Sequence, residues 1–149
     1  MIKHILSILV CLMFILPSGG SAAKDSIYHK KIHVSKIVKV YDGDTIFVNI
    51  NQWPAILGKR MPVRVRGIDT PEMRGKCQKE KVLASKAKLR VIDELAKAKN
   101  VTLRNISRGK YFRVVADVYA DDINIGDVLL YKGLAVPYDG GTKTKDWCR

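Results

Sequence analysis

One long helical pattern set among short alternating segments limits this chain's fold more than anything else in the sequence. Cys77–Asn100 carries Val82, Ser85, Leu89, Ile92 and Ala96 at i, i+3, i+7 spacing. Lysine crowds its other face, and Asn100 suits its C-terminal end. The segments around it read as strands. Val34–Val40 and Thr45–Ile50 alternate on either side of a Tyr41-Asp42-Gly43-Asp44 turn, and Met61–Arg66 alternates again. Val101–Arg104 and Phe112–Tyr119 follow the helix. A short helix capped by Asn124, running over Ile125, Val128 and Leu129 and ending at Gly133, comes last. Five short strands with one helix between the third and fourth predict an α+β, mainly β fold, a small closed barrel of the oligonucleotide-binding (OB-fold) kind.

A chain of 149 residues has room for one domain. With 47% hydrophobic residues it has the balance of a globular protein and not of a disordered basic tail. Lys and Arg outnumber Asp and Glu by 27 to 14, a formal net charge of +13, which implies a polyanionic partner: nucleic acid or an acidic surface. Three Cys and three His, with no C-x-x-C pair, leave little for a zinc site.

The first 23 residues are set aside as a signal peptide. Lys3 and His4 precede an apolar stretch from Ile5 to Leu16, and Pro17-Ser18-Gly19-Gly20-Ser21-Ala22-Ala23 supplies a small-residue end. Twelve residues at 1.5 Å each fall well short of the roughly 30 Å hydrocarbon core. Cleavage after Ala23 is expected, giving a secreted protein, periplasmic or extracellular, with a single domain over 24–149. That cut removes one lysine and no acid, leaving +12. It also removes Cys11, so Cys77 and Cys148 remain as a candidate disulfide of an exported chain. Lys24–His33 reads as a polar lead-in, with His29 and His33 exposed.

Three polar clusters carry the chemistry: Asp42-Gly43-Asp44-Thr45, Arg64-Val65-Arg66-Gly67-Ile68-Asp69-Thr70-Pro71-Glu72, and Lys110-Tyr111-Phe112-Arg113. Each alone is ordinary turn or strand-end decoration. Together they supply what phosphodiester hydrolysis needs. Asp44 and Asp69 offer hard carboxylate oxygens suited to Ca²⁺ or Mg²⁺. Glu72, placed by the Pro71 turn, can accept a proton from water. Arg64 and Arg113 present planar, permanently charged forks to phosphate oxygens.

In these residues the chain resembles the staphylococcal (micrococcal) nuclease family. The match runs through Asp-Gly-Asp-Thr at 42–45, Arg-x-x-x-x-Asp-Thr-Pro-Glu at 64–72 and Tyr-x-Arg at 111–113. It continues through Val-Tyr-Ala-Asp at 118–121 and Lys-Gly-Leu-Ala at 132–135, so that it spans roughly residues 34–138. The resemblance implies an OB-fold nuclease using one Ca²⁺ to hydrolyse DNA and RNA, single-stranded or locally open, leaving 3′-phosphates. It places Asp44, Asp69 and the Thr70 carbonyl at the metal and Glu72 as the general base. It makes Arg64 and Arg113 the phosphate clamps, with Tyr111, and Tyr138 out of strict register, on the substrate. A monomer without stable membrane association is expected.

Phe112 departs from the family's Tyr-Gly-Arg, the link from Glu72 to the helix is short, and the family's C-terminal helix is missing, so a Cys77–Cys148 bridge would tie that end. Arg64 and Asp69 lie five apart, yet the resemblance puts both in one site, so a break in the strand is expected near Gly67. Lys76, Lys79, Lys81, Lys86, Lys88, Lys97 and Lys99 serve either as a solvated helix face or as phosphate contacts. The main rival is a non-catalytic nucleic-acid-binding barrel, against which the intact acids argue. A cationic protein for acidic cell surfaces would explain the charge but not the motifs.

Overall fold

A computed structural model describes residues 27–149; the expected signal peptide lies outside the described residues. The chain runs β1 (Ile32–His33), β2 (Lys36–Val40), β3 (Thr45–Asn49), α1 (Ala55–Gly58), β4 (Met61–Val65) and β5 (Ile68–Asp69). It continues through α2 (Gln78–Lys97), β6 (Val101–Arg108), β7 (Val114–Ala120), β8 (Ile123–Asn124), α3 (Ile125–Tyr131) and β9 (Val136–Pro137). The main sheet runs β1-β6-β7-β4-β3-β2, with β4 and β7 parallel and the other pairings antiparallel. Its two outer strands are one stretch of chain, because only Val34 and Ser35 separate β1 from β2. The Val34 N–H donates to Val101 and the Ser35 N–H to Asn49, so the sheet closes on itself as the expected OB-type barrel. Among the described residues, no helix is long and apolar enough to cross a membrane.

The alternation read from the sequence fills this barrel. Ile46, Val48, Val63, Val65, Ala116 and Val118 all point inward and are essentially inaccessible, each buried valine or isoleucine contributing roughly 1.5–3 kcal/mol. The Asn124 carboxamide accepts from the Gly126 N–H and caps α3 as expected. Cys77 and Cys148 form the expected disulfide, with Cα atoms 5.9 Å apart.

Four expectations need correction. First, α2 buries Ala84, Ala87, Val91 and Leu95, not the Val82–Ser85–Leu89–Ile92–Ala96 stripe, whose Leu89 is 63% exposed. Two stripes of helical period coexist here, and the barrel selects the small one. A Cβ on Gly43 would lie 2.8 Å from the Ala87 Cβ and 2.9 Å from Thr70 Cγ2, so only small side chains let α2 reach the Asp42–Asp44 turn. Second, the lead-in is not loose at its end. Tyr28 bridges Ile106, and Ile32 pairs with Leu103 and enters the core. Third, β6 runs on to Arg108 through a bulge at Asn105, held at φ 50°. The Arg66 guanidinium secures that bulge by donating to Ser107 Oγ at 2.8 Å and to the Asn105 and Val115 carbonyls. Fourth, the strand expected from Phe112 is β7 and starts at Val114, because Tyr111 and Phe112 form the hairpin tip, and α2 ends at Lys97 with Ala98, not Asn100, at its cap.

Candidate functional site

The strand break falls where the separation of Arg64 and Asp69 requires it. β4 stops at Val65, Gly67 adopts φ +77°, and β5 restarts at Ile68 paired with β9. Glycine takes that left-handed conformation without a Cβ clash. The turn brings the two side chains back together: the Arg64 guanidinium donates to the Ile68 carbonyl at 3.0 Å, pairs with Asp44 and lies 3.5 Å from Asp69.

Asp44 is fixed from several sides. Its carboxylate accepts from the Thr45 hydroxyl at 3.0 Å, the Thr70 hydroxyl at 3.1 Å and the Thr70 N–H at 3.3 Å. Thr70, singled out for its carbonyl, therefore also orients Asp44 through its side chain. Glu72 follows Pro71 on an exposed turn, and its N–H donates to Glu80 of α2 at 3.3 Å. Asp44, Thr45, Arg64 and Glu72, with Arg113, Tyr111 and Tyr138, surround a cleft of about 1000 Å³, whereas Asp69 lines an adjoining pocket that shares Tyr138 and Lys143 with it. Arg113 enters from the start of β7 with its Nε buried and unpartnered. Tyr111 is 89% exposed at the hairpin tip. Tyr138, though out of register, is tied in: its N–H donates to Gly67 at 2.9 Å, and its ring lies 5.6 Å from the Arg64 guanidinium.

Three further residues belong to the site without having been assigned a role from sequence. Asp42 is buried beside Asp44 and accepts its N–H at 3.1 Å. Burial, and then the Asp44 charge, pushes the Asp42 carboxyl up to about 6. Glu80 is buried at the head of α2 and gathers the N–H groups of Glu72 and Lys76, shaping the turn that carries Glu72. Its place in the helix's first turn was the only signal available. Lys143 comes from the irregular tail: its ammonium lies 2.8 Å from Asp69 and 2.5 Å from Glu72. Burial would lower its pKa, but the two carboxylates push it up to about 12. For Arg64, burial acts in the same downward direction, and Asp44 and Asp69 outweigh it, raising its pKa further.

The result is a line of alternating charge: Asp44, Arg64, Asp69, Lys143, Glu72. Asp69 Oδ1 is buried, faces cations, and has no donor in hydrogen-bond geometry. The carboxylates of Asp44 and Asp69 are hard oxygen donors of the kind a divalent cation takes, with the Arg64 guanidinium between them and the Lys143 ammonium on Asp69. The only compact trio of His, Cys, Asp or Glu side chains among the described residues is Cys77, Glu80 and Cys148. That trio is no ligand set, because both sulfurs are spent in the disulfide.

A search of curated proteins returns no match. The family described as Staphylococcal nuclease homologue matches residues 62–146, which include β4, the Gly67 break, Asp69, Glu72, Arg113 and the tail lysine. With that match covering more than half of the chain and the barrel closing as the family fold does, this protein belongs to the staphylococcal nuclease homologue family.

Proposed function

We propose that this protein is a secreted, Ca²⁺-dependent nuclease that hydrolyses phosphodiester bonds in DNA and RNA. The observation that carries the reading is the convergence of Asp44, Glu72, Arg64 and Arg113 around one cleft, with Asp69 3.5 Å from the Arg64 guanidinium. A module that only bound nucleic acid would gain nothing from carboxylates that repel phosphate.

In this reading Asp44, Asp69 and the Thr70 carbonyl would hold one Ca²⁺, which when bound would supply Lewis-acid polarisation of a phosphate oxygen and offset developing charge. Glu72 takes a proton from the water that attacks phosphorus. The bond from phosphorus to the 5′ oxygen breaks, leaving a 3′-phosphate. Arg64 and Arg113 bind the non-bridging oxygens, more tightly as they gain charge in the transition state. Asp44 keeps Arg64 aimed, and the Tyr138 ring covers it from the solvent side. Tyr111 stands where a base or a neighbouring phosphate would pass. The lysines along α2 supply salt-sensitive, sequence-blind attraction to the backbone. The chain acts as a monomer, on strands that are single or locally open, in the periplasm or outside the cell.

The test is incubation of residues 24–149 with single-stranded DNA and with RNA, in Ca²⁺ and then in EDTA. Cleavage that needs Ca²⁺ and yields 3′-phosphate ends is expected. Binding without cleavage would instead make this a nucleic-acid-binding barrel, and cleavage that survives chelation would overturn the metal assignment.

A further inference from the structure

Glu72 is the least buried of the site's carboxylates. Its side chain is 54% exposed, and Lys143 is its carboxylate's only partner among the described residues. Lys143 lies in a stretch with no regular secondary structure between two anchors. On one side the Tyr138 N–H is held by Gly67. On the other, Trp147 is buried and Cys148 is bonded to Cys77.

These contacts close a ring. Cys77 lies five residues after Glu72, and Cys148 lies five residues after Lys143. The disulfide joins one end of the two arms and the Glu72–Lys143 pair joins the other. Glu80 stiffens the first arm through the Glu72 and Lys76 N–H groups. The second arm is held near its far end, where the Asp146 carboxylate accepts from the Cys148 N–H and pairs with Arg149 and where Trp147 is buried. Lys143 is therefore placed from one side by the Tyr138–Gly67 contact and from the other by Trp147 and the bridge.

We propose that Lys143 is a positioning residue of this site, delivered by the Cys77–Cys148 bridge, so that oxidation of the two cysteines completes the site. The inference rests on the reading of Glu72 as the proton acceptor. Lys143 does two things there. It holds an otherwise freely rotating carboxylate at the cleft, and it offsets one negative charge on the approach of an anionic phosphodiester. Its effect on the metal is opposite, since an ammonium against Asp69 repels a divalent cation. A purely structural role would not separate turnover from metal affinity in this way.

The experiment compares oxidised wild type, Lys143→Met, Lys143→Arg, Cys148→Ser and the control Lys145→Met, which removes the same charge two residues away. Turnover and KM are measured on single-stranded DNA in Ca²⁺, and Ca²⁺ affinity by calorimetry without substrate. Wild type is also reduced with dithiothreitol, which gives two electrons and two protons to the cysteine sulfurs and leaves as its cyclic disulfide. Lys143→Met should lower kcat about 10- to 100-fold, in line with misplacement of a reacting group. Its Ca²⁺ affinity should be equal or tighter. Lys143→Arg should recover part of the loss, and Lys145→Met should leave kcat unchanged. Reduced wild type and Cys148→Ser should lose turnover similarly, and adding Lys143→Met to Cys148→Ser should cost less than about twofold more. Full kcat in Lys143→Met or in folded, reduced wild type would overturn the inference, as would a parallel loss of Ca²⁺ affinity. Should Cys148→Ser not fold, the Lys143 variants and the reduced wild type decide. Wild type inactive in Ca²⁺ would refute the nuclease reading itself and this inference with it, whereas active wild type with an unaffected Lys143→Met would refute this inference alone.

Discussion

Asp42→Asn should stabilise the protein at neutral pH and change little in acid. Asp42 is 7% exposed, and its carboxyl is pushed from 3.8 up to about 6 by burial, then by the charge of Asp44. In the unfolded chain it ionises at its ordinary value. Folding therefore takes up a proton here between those pH values, and the native state loses stability as pH rises through them. Moving a carboxyl from 3.8 to about 6 corresponds to about 3 kcal/mol once both states are ionised. Asparagine keeps the Oδ1 that accepts the Asp44 N–H, so the substitution removes charge while leaving the turn's hydrogen bond. A gain of about 1–3 kcal/mol is expected at about pH 7.5, shrinking toward zero at about pH 3.5. Urea unfolding of both proteins in EDTA at the two pH values measures it, and taking the difference cancels groups common to both. An equal difference at both pH values, or a less stable Asp42→Asn at neutral pH, would refute the argument.

Three other outcomes follow from contacts already described. Glu72→Ala and Arg113→Ala should each reduce kcat on the order of 10²–10³-fold or more while changing the affinity for a DNA strand in Ca²⁺-free buffer only severalfold, as turnover and filter-binding assays would show. Phe112 sits at φ 57° directly after Tyr111 at φ 56°, in the left-handed region that disfavours side chains. Phe112→Gly should therefore raise stability by about 1 kcal/mol in a denaturant titration, and a loss of stability would show that the ring's packing over Arg108 matters more. Glu80→Ala strips acceptors from the Glu72 and Lys76 N–H groups. A destabilisation of about 1–3 kcal/mol in urea unfolding is expected, together with faster hydrogen exchange confined to residues 72–76.

The strands β2, β3, β4 and most of β7, the break at Gly67 and most of the cleft were legible in the sequence, because alternation and motif order are local properties. What escaped it depended on how closely two elements approach. Val82, Leu89 and Ile92 satisfy the helical period as well as Ala84, Ala87 and Val91 do, and they carry more apolar surface. Nothing within α2 says that Gly43 will come within touching distance of Ala87 and so demand the smaller face. The bulge at Asn105 was hidden for a similar reason: it is secured by Arg66, from the turn after β4, far away in sequence. Lys143 lies in a polar stretch without period or motif, and only the disulfide and the turn at Gly67 bring it to the acids. Asp42 was visible as part of a turn, but its burial beside Asp44 was not.

The split first strand has a consequence for how the molecule can fail. A barrel normally hides its strand edges by closure, and here the clasp is the short run from Ile32 to Val40, which lends its first part to β6 and its last to β3. A proteolytic cut near Val34 would leave every residue of the candidate site on one piece and still unfasten the hoop. It would bare the β6 residues that Ile32 and His33 cover and invite pairing with a second copy. For this protein, resistance to aggregation is therefore settled at its N-terminal edge, far from the chemistry.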